Sequence, residues 1–289
     1  MRVALLYNER AGRSISAAEL CDAILRGGHS LVQIVNMEDD VKPELEPLAE
    51  LVVAAGGDGT VSSAAALVSM RNVPVAILPL GTANNIAKSL HIEGSVPELI
   101  AAWSEAHPVP FDVGVVRSAQ GEQAFLESVG GGLVPAVIDS MHADRGSNGH
   151  PAHELAQAQQ RYRELLPLIT PQRWTIKTDG VVFDDELVLL EVLNTGLVGP
   201  NLTLSPETSA TDGLLSVVVV GEENRQNLAT LLDAQSQGKP CAWPLPVMHV
   251  RQVDIHGHDA LHIDDKVHWP RALGGISLRV EPGALTLLT

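Results

Sequence analysis

Residues 56–60 read Gly-Gly-Asp-Gly-Thr and follow directly on an apolar run at 51–55. Three glycines after a strand let the backbone fold tightly, with N–H groups turned outward and no Cβ in the way. Such a nest takes phosphate oxygens, and a helix starting behind it adds the positive end of its dipole. The one carboxylate in the turn, Asp58, is useful there only beside a cation, a ribose or a hydroxyl. The run has neither the closing Gly-Lys-Ser/Thr of a P-loop nor the spacing of the dinucleotide-binding glycines. It predicts nucleotide phosphate chemistry of another kind.

Positioning these residues requires a sheet. Apolar runs at 3–7, 31–35, 51–55 and 75–80 read as strands, with helical spacing between them at about 16–26, at 60–70 and from the last loop through Leu90. Unbroken apolar strands separated by helices imply a parallel sheet covered on both faces, in which ligands bind at the carboxyl ends of the strands. Two more loops of unusual composition follow strands, Asn8-Glu9-Arg10-Ala11-Gly12 and Gly81-Thr82-Ala83-Asn84-Asn85. The expectation is that all three loops lie on one edge. Backbone N–H groups of Gly56, Gly57 and Gly59 would cradle phosphates and Thr60 would cap the helix. Asn8, Thr82 and Asn84 would offer uncharged hydrogen bonds.

The pattern changes after His107-Pro108. Short runs at 112–117, 124–129, 174–177, 187–193, 214–220, 247–255 and 276–280 predict an antiparallel sandwich, with Asp179-Gly180 as a hairpin turn. A helix at 152–166, apolar at Leu155, Tyr162, Leu165 and Leu166, interrupts the strands after a polar lead-in at 145–149. The domains are therefore expected at 1–108 (α/β, nucleotide-binding, with the C-terminal residues able to return to it) and 109–289 (β-sandwich, acceptor-binding).

Bulk composition narrows the partners. A chain of 289 residues suits two domains, and 45% hydrophobic with 19% charged residues is ordinary for a globular protein. A formal net charge of −16 argues against nucleic acid and against electrostatic docking on anionic lipid. Cys21 and Cys241 stand in unrelated contexts, which excludes a disulfide framework. The first apolar run is too short for a signal peptide and no run is of membrane-spanning length, so a cytoplasmic protein is expected. His256 and His258 could share a strand face as zinc ligands, although Gly257 breaks the regularity.

With these residues in hand, the chain resembles the diacylglycerol kinase catalytic-domain family, the bacterial lipid-kinase branch related to sphingosine kinases and, distantly, to NAD kinases. Gly56–Thr60 is identical to that family's nucleotide signature, Pro79–Asn85 matches its second loop, and 8–12 resembles its first. Phe111-Asp112-Val113-Gly114, residues 125–132, Asn194-Thr195-Gly196, Ser205-Pro206, Asp212-Gly213-Leu214-Leu215 and Pro282-Gly283-Ala284-Leu285 resemble its later blocks. The resemblance implies an α/β domain plus a β-sandwich with the active site in the cleft between them. It also implies ATP and Mg2+, and transfer of the γ-phosphate to a lipid hydroxyl with at most peripheral membrane contact. Gly81 and Asn85 join the implied nucleotide-binding set.

The departures are specific. Asn85 stands where the family has Asp. Ile263-Asp264-Asp265-Lys266 replaces a hairpin whose glutamate resembles a general base, so Lys266 occupies the glutamate's place. Ser216 replaces an acid of a regulatory magnesium site of which Asp212 survives. Two expectations follow: Asp264 or Asp265 takes over as base, with Lys266 steadying the phosphate, or the chain binds nucleotide without transferring it. Together with Asp58, these aspartates are the candidate catalytic residues. An NAD kinase would need an Asn-Glu pair downstream of the glycine loop, whereas Asn8-Glu9 lies upstream.

Overall fold

The computed structural model describes residues 1–9, 15–37, 44–69, 71–143, 151–178, 180–239, 245–268 and 275–289. Residues 10–12 of the first expected loop, the lead-in at 145–149, Asp179 and Cys241 lie outside the described residues. The chain divides into two compact units, Met1–Phe111 with Gly283–Thr289, and Asp112–Pro282.

In the first unit, strands and helices alternate: β1 (Arg2–Tyr7), α1 (Ala17–Arg26), β2 (Ser30–Asn36), β3 (Leu51–Gly56), α2 (Asp58–Val68), β4 (Val75–Pro79), α3 (Asn85–Ser89) and α4 (Val96–Ala102). β1 pairs in parallel with β2 and β3, and β3 pairs in parallel with β4. The capping box at the start of α1, in which Ser16 Oγ and the Glu19 carboxylate each accept the other residue's main-chain N–H, fixes that helix start. Leu20 and Ile24 then pack with Val3, Leu5, Val53 and Leu78 in the core. The short α4 was not expected; its capping box at Ser95 and Glu98, and Pro97 in its first turn, mark it in retrospect.

The second unit contains β5 (Pro108–Ser118), which begins in the first, then β6 (Gly121–Phe125), β7 (Ser128–Gly132), α5 (Leu133–Ala143), α6 (Pro151–Leu165), β8 (Gln172–Thr178) and β9 (Val181–Leu193). There follow β10 (Leu197–Val198), β11 (Leu202–Thr203), β12 (Leu215–Gly221), α7 (Arg225–Ser236), β13 (Val247–Val250), β14 (Gln252–Gly257), β15 (Leu261–Ile263), β16 (Lys266–His268) and β17 (Ile276–Leu288). Antiparallel pairs run β16–β15–β7–β9–β8–β14–β17, with β12 joining β9 to β13. The end of β17 returns to the first unit, where Leu287 and Leu288 run parallel to Val75 and Ala76. The second half of β9, residues 187–193, is buried throughout and apolar but for Glu191, because both its faces are covered. Leu190 and Val192 face one core with Trp174 and Ile255, while Val188 and Leu189 face another with Tyr162 and Leu231.

Two expected strands are each split. The run at 124–129 breaks between β6 and β7 because the N–H groups of Leu126 and Glu127 turn toward the Asp264 carboxylate. The run at 247–255 breaks at Arg251, where the chain leaves β12 and takes up β8 and β17 instead. Helices α5 and α7 interrupt what reads as a continuous series of strands.

Candidate functional site

β1, β3 and β4 are parallel, so Asn8, Gly57 and Gly81 emerge at the same edge of the first unit's sheet. The loops after β3 and β4 touch through their backbones. The N–H groups of Leu80 and Gly81 donate to the Gly56 carbonyl at 2.9 and 3.2 Å, and the Asn8 N–H donates to Ala55 at 3.2 Å. A Cβ on Gly81 would stand 2.4 Å from the Cα of Gly57, and one on Gly56 would stand 2.2 Å from Thr60 Oγ1. None of Gly56, Gly57, Gly59 and Gly81 has a positive φ. Close approach, and not left-handed backbone, is what glycine supplies here. At Gly57 and Gly81 two main chains approach closely, at Gly56 the Thr60 side chain fills the space, and Gly59 lies inside α2 rather than in the turn.

The roles of Thr60 and Asn84 also change. Gly57 is the N-cap of α2, and Thr60 is the helix's third residue, buried, with its N–H donated to Gly57 at 2.9 Å; it caps nothing. Asn84 sits at φ +52° and closes its own loop. Its Oδ1 accepts from Gly81 N–H at 2.9 Å, and its Nδ2 donates to the Gly81 carbonyl at 2.7 Å. Asn84 therefore shapes the loop instead of reaching outward. Thr82 is half-buried, and Asn85 is buried at the start of α3.

Asp58 begins α2, where a carboxylate suits the positive end of the helix dipole. Its Oδ1 accepts the Ile86 N–H at 3.0 Å, strapping the start of α3 to the start of α2. Burial pushes its pKa up, while the N–H groups of Ile86 and Asn85 and the charge of Lys88 pull it down. Lys88 was missed in the sequence. Burial lowers its pKa, against the attraction of Asp58 and Glu93. It is the single basic residue between Gly81 and Leu90, which was the available signal.

The second unit holds the Asp264–Asp265 turn between β15 and β16. Asp264 sits at φ +50° with its side chain turned inward. Its carboxylate accepts N–H groups from Leu126 at 3.2 Å, Glu127 at 2.9 Å and Ser128 at 3.4 Å, and its own N–H donates to the Ser128 carbonyl at 2.9 Å. Burial pushes its pKa up to about 6; the three N–H groups pull down and the charge of Asp265 adds to the rise. The expectation of Asp264 as a base is corrected, since its oxygens are spent on main-chain donors. Asp265 and Lys266 are exposed.

Beneath the turn lies a pair that was not anticipated. His262 Nε2 stands 2.9 and 3.0 Å from the two oxygens of Glu191, both residues being fully buried. A lone glutamate in the apolar run 187–193 was the visible signal. Elsewhere, Asp212 is exposed and accepts from Leu214 N–H at 2.9 Å. Ser216 is buried between Thr208 Oγ1 at 2.8 Å and His249 Nδ1 at 3.0 Å. Among the described residues no group of three or more His, Cys, Asp or Glu is gathered to hold a metal ion, around Asp212 or around His256 and His258.

The profile described as the diacylglycerol kinase catalytic domain matches residues 2–116, and that described as the YegS C-terminal NAD kinase beta sandwich-like domain matches residues 133–289. A diacylglycerol kinase of Bacillus subtilis (strain 168) is 28% identical over 236 residues, covering 77% of this chain and 75% of that one. One of Staphylococcus aureus (strain NCTC 8325 / PS 47) is 22% identical over 253 residues, covering 84% and 78%. A crystal structure of a diacylglycerol kinase from Bacillus anthracis str. Sterne has the same fold, with a TM-score of 0.70 at 18% identity over 99% of this chain and 96% of that one. The chain belongs to the diacylglycerol kinase catalytic-domain family, a family of kinases, and its catalytic domain is followed in sequence by a YegS-type β-sandwich-like domain.

Proposed function

We propose that the protein is an ATP-dependent lipid-kinase-like phosphotransferase that moves the γ-phosphate to the hydroxyl of a diacylglycerol-like lipid. The observation that carries this reading is the backbone contact of the Gly57 and Gly81 loops at the carboxyl edge of a parallel sheet, over the N-terminus of α2. A surface without side chains, backed by helix N–H groups, favours phosphate oxygens. Gly56, Gly57, Gly59 and Gly81 keep that surface bare. Thr60 and Asn84 fix its shape, and Asn8, Thr82 and Asn85 are assigned to its border. Asp58 is the carboxylate at this edge, which suits Mg2+, a cation held through one or two carboxylates plus substrate phosphates. The cation would supply charge neutralisation for the transferred group.

Asp265 is assigned the acceptor's proton, because it is the exposed carboxylate of a turn whose other carboxylate is committed to N–H groups. Lys266 steadies the migrating phosphate. Asp212 contributes no metal site in this reading. No helix among the described residues is long and apolar enough to cross a membrane. We read the protein as cytoplasmic, meeting its lipid through peripheral contact and no nucleic acid.

A second reading, nucleotide binding without transfer, draws on Lys266 at the place of the expected base. Incubation with γ-labelled ATP, Mg2+ and diacylglycerol in mixed micelles, in parallel with NAD, separates the possibilities. Labelled lipid is expected. Labelled NAD, or bound nucleotide with nothing labelled, overturns the proposal.

A further inference from the structure

Two fully buried ionisable side chains, Glu191 on β9 and His262 on β15, make no contact with solvent. Putting such a pair inside a sheet costs desolvation, and apolar side chains of similar volume commonly serve stability equally well. Its value must lie in geometry. Each of the two imidazole nitrogens faces an acceptor. Nδ1 stands 2.8 Å from the carbonyl of Asp264 and therefore carries a hydrogen, while Nε2 stands 2.9 and 3.0 Å from the two oxygens of Glu191. A proton thus lies between Nε2 and the carboxylate as well. Burial disfavours the charged ring, but Glu191 outweighs it, so the His262 pKa is raised.

Room for this arrangement is kept open. A Cβ on Gly130, the residue paired with Glu191 across β7, would fall 2.3 Å from the Glu191 carboxyl group. The Asp264 peptide is consequently held from three sides: its carbonyl by His262, its N–H by Ser128, and its carboxylate by the N–H groups of 126–128. With φ at +50°, Asp264 adopts a backbone conformation that a non-glycine residue keeps only when its surroundings fix it.

We propose that the Glu191–His262 pair is a positioning unit, which holds the Asp264–Asp265 turn by its Asp264 carbonyl and so fixes where Asp265 presents its carboxylate. This rests on the assignment of Asp265 as the acceptor's base. Neither residue touches substrate in this scheme; both act through the turn.

The test uses the full chain and three variants. His262→Phe keeps the ring and loses both bonds, Glu191→Gln keeps an acceptor for Nε2–H, and Glu191→Leu/His262→Phe replaces the pair with apolar side chains expected to fold. Backbone amide exchange in peptides spanning 126–128 and 264–266 is expected to accelerate about tenfold in His262→Phe. kcat for lipid phosphorylation should fall at least about tenfold, with KM for ATP unchanged. Glu191→Gln should retain most of the wild-type rate. The double variant should melt no lower than His262→Phe yet remain equally slow, a split that a purely structural role would not produce. Wild-type kcat in either folded His262 variant overturns the proposal, as does unchanged exchange at the turn. Asp265→Ala turning over at the wild-type rate would instead overturn the assignment of the base, while exchange in His262→Phe still reports on the turn.

Discussion

The two units build tight loops by opposite means. At the sheet edge of the first, the loops close because side chains are missing: a Cβ on Gly81 has 2.4 Å to the Gly57 Cα. At the turn of the second, the loop closes because charged side chains are present, with one aspartate absorbing three N–H groups and a buried ion pair under it. The first arrangement lets two main chains approach with no side-chain atoms between them. The second consumes its donors internally, which leaves a rigid support and one exposed carboxylate. In the proposed reading, missing side chains make a receptor, and added buried charge makes a mount.

The sharpest break in this comparison comes from adding a methyl group in the first unit and removing a carboxylate in the second. Gly81→Ala must push main chain against main chain, and overpacking of this kind typically costs about 1–3 kcal/mol. Affinity for ATP should fall at least about 100-fold by calorimetry, since the donors are displaced together. The matching change in the second unit, Asp264→Ala, strands three N–H groups and should lower stability by about 3 kcal/mol in urea titration. Its ATP affinity should stay within about twofold of wild type. If Gly81→Ala binds normally, the edge is not the phosphate site.

The second unit should also show a pH signature at its turn. The Asp264 pKa is about 6 in the folded chain against an ordinary 3.8, so it is raised. The stability this supplies is complete below pH 3.8 and is lost as pH rises through about 6. The loss is expected to be about 2–3 kcal/mol over that window. Carboxyl-carbon NMR reads the titration directly. Because the Asp265 charge adds to the rise, Asp265→Asn should bring the Asp264 midpoint down and flatten the stability slope.

The difference between the units also explains what could be read from the chain. The α/β unit was legible because each strand, loop and helix is local in sequence, and the glycine run marks the passage from β3 to α2. The reason for the glycines was not, since it depends on Gly57 and Gly81 meeting across 24 residues. In the second unit the strands at 174–177 and 187–193 could be placed, but the break at Leu126 could not. Its cause is Asp264, 138 residues away. Pairwise partners of such separation leave no periodicity behind. Glu191, alone among leucines and valines, was the readable trace of a buried polar network, and its partner His262 reads more readily as one of several exposed hairpin histidines.

The smallest expected effect tests whether the first unit is as free of charge dependence as its glycines suggest. Lys88 stands one turn into α3 and bears electrostatically on Asp58, whose carboxylate straps the two helix starts together. If the edge works by bare backbone donors alone, Lys88→Met should change little beyond raising the Asp58 pKa, since Lys88 is one of the influences holding it down. If the cation also meets the nucleotide, ATP affinity should drop by about tenfold, the scale of one partly screened charge contact. We expect the drop, and expect it to shrink as salt is raised from 50 to about 500 mM, because a contact at an exposed rim is screened. Calorimetric titration at the two salt levels checks both. A salt-independent loss would mean that Lys88 acts by bracing Asp58 and not by its own charge toward phosphate, making the first unit's rim a mount of the same kind as the second's turn.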